Sequence, residues 1–297
     1  MKRAKMVVVV LGLAGFVALQ SFTAAQTQNP PATQPAAGQA AGTAPAVKRP
    51  PQAKTQAEFD AYNAAVANAK DPAALEKAAD DFSAKFPTSE LRILLYRNAM
   101  HQYQNANNGD KMLEMGHKVL AIDPDDPESL IGVAEVLVER TKDSDLDKDQ
   151  RWGEAEKDAQ HALQTIDTDL PVPPNTPQDK VDAYKGYLRS SAYSVLGALE
   201  FNRDKYPEAE ADFRKSIDAF PSQPDPVVVL RLALALDKQN RYGDALKEAD
   251  HAVELTQQDT AAGKLARQER DRLVQLTGGI ASPAPSSQPS PSSAPPK

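Results

Sequence analysis

Residues 190–223 read SSAYSVLGALEFNRDKYPEAEADFRKSIDAFPSQ. Within these 34 residues Tyr193, Leu196, Gly197, Tyr206, Ala209, Phe213 and Pro221 take places 4, 7, 8, 17, 20, 24 and 32. Such spacing describes two antiparallel helices, an A helix ending near Asn202 and a B helix ending before Pro221. A lone helix pair of this size cannot bury both of its apolar stripes. Neighbouring pairs have to stack on it.

The same register can be walked in both directions. Starting at Pro226, Leu232, Ala233, Leu236, Tyr242, Ala245, Ala249 and Ala252 fall on places 7, 8, 11, 17, 20, 24 and 27. Upstream, residues 93–126 supply Tyr96, Ala99, Tyr103, Val119 and Pro124. Residues 127–168 supply Leu130, Val133, Ala134 and Leu137, then an insertion at 141–149, then Trp152, Ala155, Ala159 and Ala162. The weakest unit, near 56–89, carries Phe59, Tyr62, Val66, Leu75, Ala79, Phe82 and Pro87. Five units result, and the polar-faced stretch 260–276 reads as a helix that caps the array.

Small residues at places 8 and 20 mark a close crossing of helices A and B, as in Ala134/Ala155, Gly197/Ala209 and Ala233/Ala245. Asn63/Leu75 and Met100/Met112 break that rule, so the first two units are expected to pack wider. Asp71, Asp126 and Asp225 each precede a proline and are expected to cap helices. Thr176-Pro177-Gln178-Asp179 reads as another capped start, opening the longest helix, which meets no breaker before Asn202. Ahead of it lies a proline-rich loop, 167–175.

These motifs resemble the tetratricopeptide repeat family over roughly residues 56–276, most specifically at 190–223. The resemblance implies an all-α tetratricopeptide-type solenoid of about five helix pairs plus a C-terminal capping helix. It also implies a concave groove lined by the A helices, where relatives bind other proteins. The places that face such a groove in this family hold Arg97, Asn98, His101, Gln104 and Asn105, then Glu135 and Glu139, Phe201 and Asn202, and Arg231 and Lys238. Some relatives clamp a peptide's terminal carboxylate there. Arg97 and Asn98 fit that pattern loosely, but Glu128 and Gly132 stand where further cations are expected, so a mixed polar groove for an extended or helical segment is the better reading.

The two ends have a different character. Lys2, Arg3 and Lys5 precede an apolar run from Met6 to Leu19, and Thr23-Ala24-Ala25 offers small residues for cleavage. Residues 1–25 therefore read as an export signal, too short to be a good membrane span. Export would place the protein in a periplasm or outside the cell. Its removal takes away three cations and no anions, leaving 31 Lys and Arg against 41 Asp and Glu, a net charge of −10. That balance argues against nucleic acid and against insertion of the mature chain into membranes. Residues 26–55 and 277–297 are rich in Pro, Ala, Gln, Ser and Thr and read as disordered flanks.

Catalytic chemistry finds little support. The chain has no cysteine, which excludes disulfides, thiol nucleophiles and thiolate zinc sites. Its four histidines show no helical metal spacing, and no phosphate loop or nucleophile elbow is present. His117, His161 and His251 fall on an outward helix-B face, whereas His101 falls on the groove side. The insertion Asp143, Asp145, Asp147, Asp149 and Glu154 has the oxygen spacing of a calcium loop, but Lys148 replaces its central glycine. An acidic loop that caps the following helix explains the same residues. The expected function is a scaffold that binds a protein or peptide, without cofactor or catalysis. The alternatives are a membrane-anchored envelope assembly factor and a self-associating structural protein.

Overall fold

The computed structural model describes residues 48–68 and 71–278. The expected export signal, residues 26–47 of the N-terminal flank and residues 279–297 of the tail lie outside the described residues.

Eleven helices follow one another among the described residues, and no strand interrupts them. They are α1 (Gln56–Asn68), α2 (Pro72–Lys85), α3 (Leu91–Asn105), α4 (Gly109–Leu120), α5 (Pro127–Arg140) and α6 (Lys148–Thr165). After the proline-rich loop come α7 (Gln178–Asn202), α8 (Tyr206–Ala219), α9 (Pro226–Lys238), α10 (Tyr242–Glu254) and α11 (Ala261–Leu276). The fold class is the expected one, all-α and of the tetratricopeptide solenoid type. The helices form two compact units. The N-terminal unit holds the described residues up to Val136 together with Gln164–Pro177, and the C-terminal unit holds Leu137–Leu163 together with the chain from Gln178 onward.

In the N-terminal unit α1 packs on α2, α2 on α3 and α3 on α4, and α1 also meets α3. Contact between alternate helices is what stacking of antiparallel pairs produces. The core of this unit runs through Leu75, Phe82, Leu95, Tyr96, Met100, Met115 and Val119. Met100 shows how the first units dispense with small residues at the expected crossing. It is 1% exposed, and it fits because Gly116 and Gly132 lie against it: a Cβ on either would sit 3.4 Å from its sulfur. The glycine at 116, costly inside a helix by about 1 kcal/mol, also admits Val133, whose Cγ2 would lie 2.6 Å from an added Cβ.

The C-terminal unit repeats the pattern, with α7 on α8, α8 on α9, α9 on α10 and α10 on α11, and with α9 touching both α7 and α11. The repeat register sets Gly197 against Ala209. In the structure it makes room for the Phe213 ring, whose nearest carbon would stand 2.6 Å from a Cβ at 197. Phe213 is fully buried as a result.

The aspartates before proline cap as expected: Asp71 accepts from the amide of Ala74, Asp225 from that of Val227, and Asp126 from that of Ser129. Thr176 does not cap α7. Its hydroxyl donates to the Pro173 carbonyl at 2.7 Å, closing the proline-rich turn instead. α7 is the longest helix, 25 residues, and does end at Asn202. No helix among the described residues is long and apolar enough to cross a membrane.

One expectation has to be amended. The flank read as disordered through residue 55 is anchored from Lys48 onward. Lys48 donates to both oxygens of Asp123 (2.6 and 2.7 Å), and Arg49 forms a two-point bridge with Glu90 (2.7 and 2.8 Å). Composition predicts disorder because so few apolar side chains are available. Ion pairs with distant turns supply the anchoring here, and composition does not contain them.

Candidate functional site

In the N-terminal unit the A-helix face is built from α3 and the start of α5. Arg97, His101 and Gln104 follow one another along one side of α3, at helical spacing. Each points to an acid contributed by α5 or its cap. Arg97 hydrogen-bonds Asp126 and lies 3.6 Å from Glu128. His101 Nε2 is 3.1 Å from a Glu128 oxygen, and the Gln104 amide is 3.5 Å from Glu135. Asn98 is half-buried beside them, and Asn105 is exposed at the end of α3.

The burial of these groups differs, and that decides their use. The Arg97 side chain is 12% exposed and that of Asp126 only 1%, whereas His101 is 46% exposed. Burial pushes the Asp126 carboxyl up, Arg97 pulls it back only in part, and Glu128 adds to the rise. Arg97 is therefore committed to holding a buried acid at the cap of α5. It is not an uncommitted cation for a peptide carboxylate. The loose carboxylate-clamp pattern is not assembled, and the acids on this face outnumber its arginine.

In the C-terminal unit Arg231 of α9 lies 3.7 Å from Glu139, near the end of α5. Burial raises the Glu139 carboxyl, against the pull of Arg231. Asn202 donates weakly to the Val138 carbonyl at 3.5 Å, and the Phe201 ring meets Tyr206 edge-on at 5.3 Å. Lys238 stands exposed at the end of α9, next to Asp237, which pairs with Arg272 of α11 at 2.6 Å. The candidate residues thus divide between the two units, Arg97 to Glu135 in one and Glu139 to Lys238 in the other.

The acidic insertion does not form a metal cage. α6 begins at Lys148, so Asp149 and Glu154 are already helical. Asp145 accepts from the Lys142 amide at 2.9 Å, Asp147 bonds Arg151 at 2.7 Å, and Asp143 is 3.9 Å from Lys148. Among the described residues no group of three or more metal-ligating side chains comes together. Lys148 covers the Trp152 ring at 4.9 Å. Asp145 thus bonds within the loop, Asp147 pairs with a side chain of α6, and Asp149 lies in the first turn of that helix.

Two features escape a reading of the sequence. Asp126 is legible as a cap but not as the partner of Arg97, since nothing in local spacing reports a contact between residues 29 apart. The Lys48–Arg49 anchor is equally hidden. Its signal is two adjacent cations just ahead of Pro50-Pro51, in a flank otherwise almost free of charge.

The family model for the tetratricopeptide repeat matches residues 189–219. No curated protein matches the chain in sequence. Among solved structures, the chain is similar to pilF of Pseudomonas aeruginosa at 18% identity, with 75% of this chain and 86% of that one covered and a TM-score of 0.50. That likeness concerns the fold. Looser ones include YrrB, a TPR protein with an unusual peptide-binding site (12% identity, covering 68% and 86%, TM-score 0.43). A thermophilic TPR protein of Thermus thermophilus is similar at 14% identity, covering 74% and 98%, with a TM-score of 0.44.

Proposed function

We propose that the protein is a non-catalytic scaffold that binds a segment of another protein along its A-helix faces. One observation carries this reading. On those faces the polar side chains are held by their neighbours in fixed positions, His101 on Glu128 and Arg231 on Glu139, while remaining partly open to solvent. Preformed polar positions on rigid helices lower the ordering cost of recognition. The surplus of carboxylates in the N-terminal unit favours a polar segment that brings cations. The basic, apolar and small-residue pattern of residues 1–25 supports export to a periplasm or the exterior, and the net negative charge supports a protein partner over nucleic acid.

Substitution of exposed members tests the reading. Arg97 is unsuitable because its loss would strand Asp126. The combination His101→Glu, Asn105→Ala and Lys238→Glu alters both faces at exposed positions and should keep the helical circular dichroism of the wild type. Affinity capture from envelope extracts is expected to lose partners with this variant. Retention of every partner by a fully folded variant would remove these faces from recognition.

A further inference from the structure

Residues 48–53 carry neither helix nor strand, yet with Lys54 they are fastened along one edge of the N-terminal unit. They cross three turns between successive helices. At the turn after α6, the Lys48 amide donates to the Thr168 carbonyl at 3.0 Å, and its ammonium lies 3.5 Å from Asp169. At the turn after α4, the same ammonium reaches Asp123. At the turn after α2, Arg49 grips Glu90, the Gln52 amide donates to Glu90 at 3.3 Å, and the Lys54 ammonium donates to the Thr88 carbonyl at 2.9 Å. Burial opposes the charge on Lys48, but the two aspartates prevail and raise its pKa.

The strap's side-chain partners Glu90 and Asp123 are acidic, and apolar surface adjoins them. A crevice of about 380 Å³ runs beside the docked strap, lined by its own Lys48, Arg49 and Pro51 and by Ile93, Ile122 and Pro171, with Glu90, Asp123, Arg92 and Arg97 supplying both charges. The strap matches its partners. Pro50 and Pro51 fix their own φ angles, and Arg49 is kept extended by the proline after it, so little entropy is lost on docking. An acidic cluster alone would mean little; here an extended basic segment is seated on it.

We propose that this turn edge is a recognition surface for extended, proline-stiffened basic segments, and that residues 48–54 occupy it as a tethered stand-in that a partner's segment of the same chemistry displaces. The strap's own bonds, to Thr88, Glu90, Asp123, Thr168 and Asp169, use none of the A-helix candidates, although Arg97 lines the adjoining crevice, and either surface can fail without the other. A strap on a short tether has an effective concentration on the order of millimolar. It therefore keeps micromolar competitors out of the wild-type chain.

The test uses a fluorescent peptide of residues 46–54, AVKRPPQAK, and the full-length chain. Anisotropy titrations are expected to show binding to a Lys48→Glu/Arg49→Glu chain at least tenfold tighter than to wild type. Adding Glu90→Gln and Asp123→Asn to that chain should abolish binding without loss of helical circular dichroism. Equal affinity for wild type and the strap variant, no binding to either, or binding indifferent to those two added substitutions would each overturn the proposal. A second readout leaves the strap charges intact. The chain has no cysteine, so Gln52→Cys provides a single labelling site on the strap. The label's anisotropy should fall when millimolar peptide is added, and an unchanged value would also overturn the proposal.

Discussion

Asn107, Asp204 and Asn240 all have positive φ, at 55°, 61° and 60°. In the units beginning at residues 93, 190 and 226 each takes place 15, between helix A and helix B. Left-handed backbone costs most residues about 1–2 kcal/mol, and Asn and Asp tolerate it best. Two of them also accept a hydrogen bond from the tyrosine that opens helix B. The Tyr206 hydroxyl donates to Asp204 at 2.5 Å, and the Tyr242 hydroxyl donates to Asn240 at 2.8 Å. Replacing Asn240 by Ala should lower stability by about 1 kcal/mol or more in urea unfolding. Asn240→Gly should lose less, because glycine relieves the backbone even though the Tyr242 bond is gone.

The hydrogen bond to the Asp204 carboxylate, with burial second, raises the Tyr206 phenol to about 12 from an ordinary 10. The folded value is the higher, so this bond's contribution is complete below pH about 10 and is lost as pH rises through the folded value. A phenolate absorbance titration should show one tyrosine that titrates near 12 in the wild type moving to lower pH in Asp204→Asn; an unchanged titration would refute the bond. Gly197→Ala should cost about 1–3 kcal/mol, since the Phe213 ring has no free direction in which to yield; a denaturation midpoint equal to wild type would refute the contact. Place 15 is readable in the sequence as an Asx residue two positions before tyrosine in two units. The true neighbour of Gly197 is not, because a repeat register says which places are small without saying which side chain fills the space.

At the scale of elements, the starts of helices are the most legible feature. Asp71, Asp126 and Asp225 each announce a cap, and each caps. Their energetic weights differ because their surroundings differ. Asp225→Ala removes a cap alone, about 1 kcal/mol. Asp126→Ala removes a cap and also leaves the largely buried Arg97 without that carboxylate, a class of change that costs about 3–5 kcal/mol. Urea midpoints measured at equal slope should separate the two variants clearly. Near-equal losses would mean that the Arg97–Asp126 pair is not held as described. The strap is illegible for the opposite reason, since its order comes from turns 34 to 120 residues away in sequence. The Arg49 guanidinium, opposed by burial, holds the Glu90 carboxyl below its ordinary 4.5. A lowered value means that Glu90's contribution is present above pH 4.5 and is lost as pH falls through the folded value. Label anisotropy at Gln52→Cys should therefore drop in acid, while the helical signal persists until further acidification.

For the molecule as a whole, a 34-residue period was enough to give helix pairs, their order and a capping helix. The period breaks at the insertion 141–149 and at the proline-rich loop; the chain passes between its two units within α5, near the end of α6 and just after that loop. Where periodicity lapses, the pattern also fails to report the missing side-chain cap of α7 and the docking of residues 48–54. Recognition along the A-helix faces should be visible to site-specific photo-cross-linking. A photoreactive residue at 101 or 238 lies on those faces, whereas one at 117 lies on helix B. Covalent capture of the same partner from 101 and 238, and none from 117, is expected. Capture from 117 with nothing from 101 or 238 would contradict it.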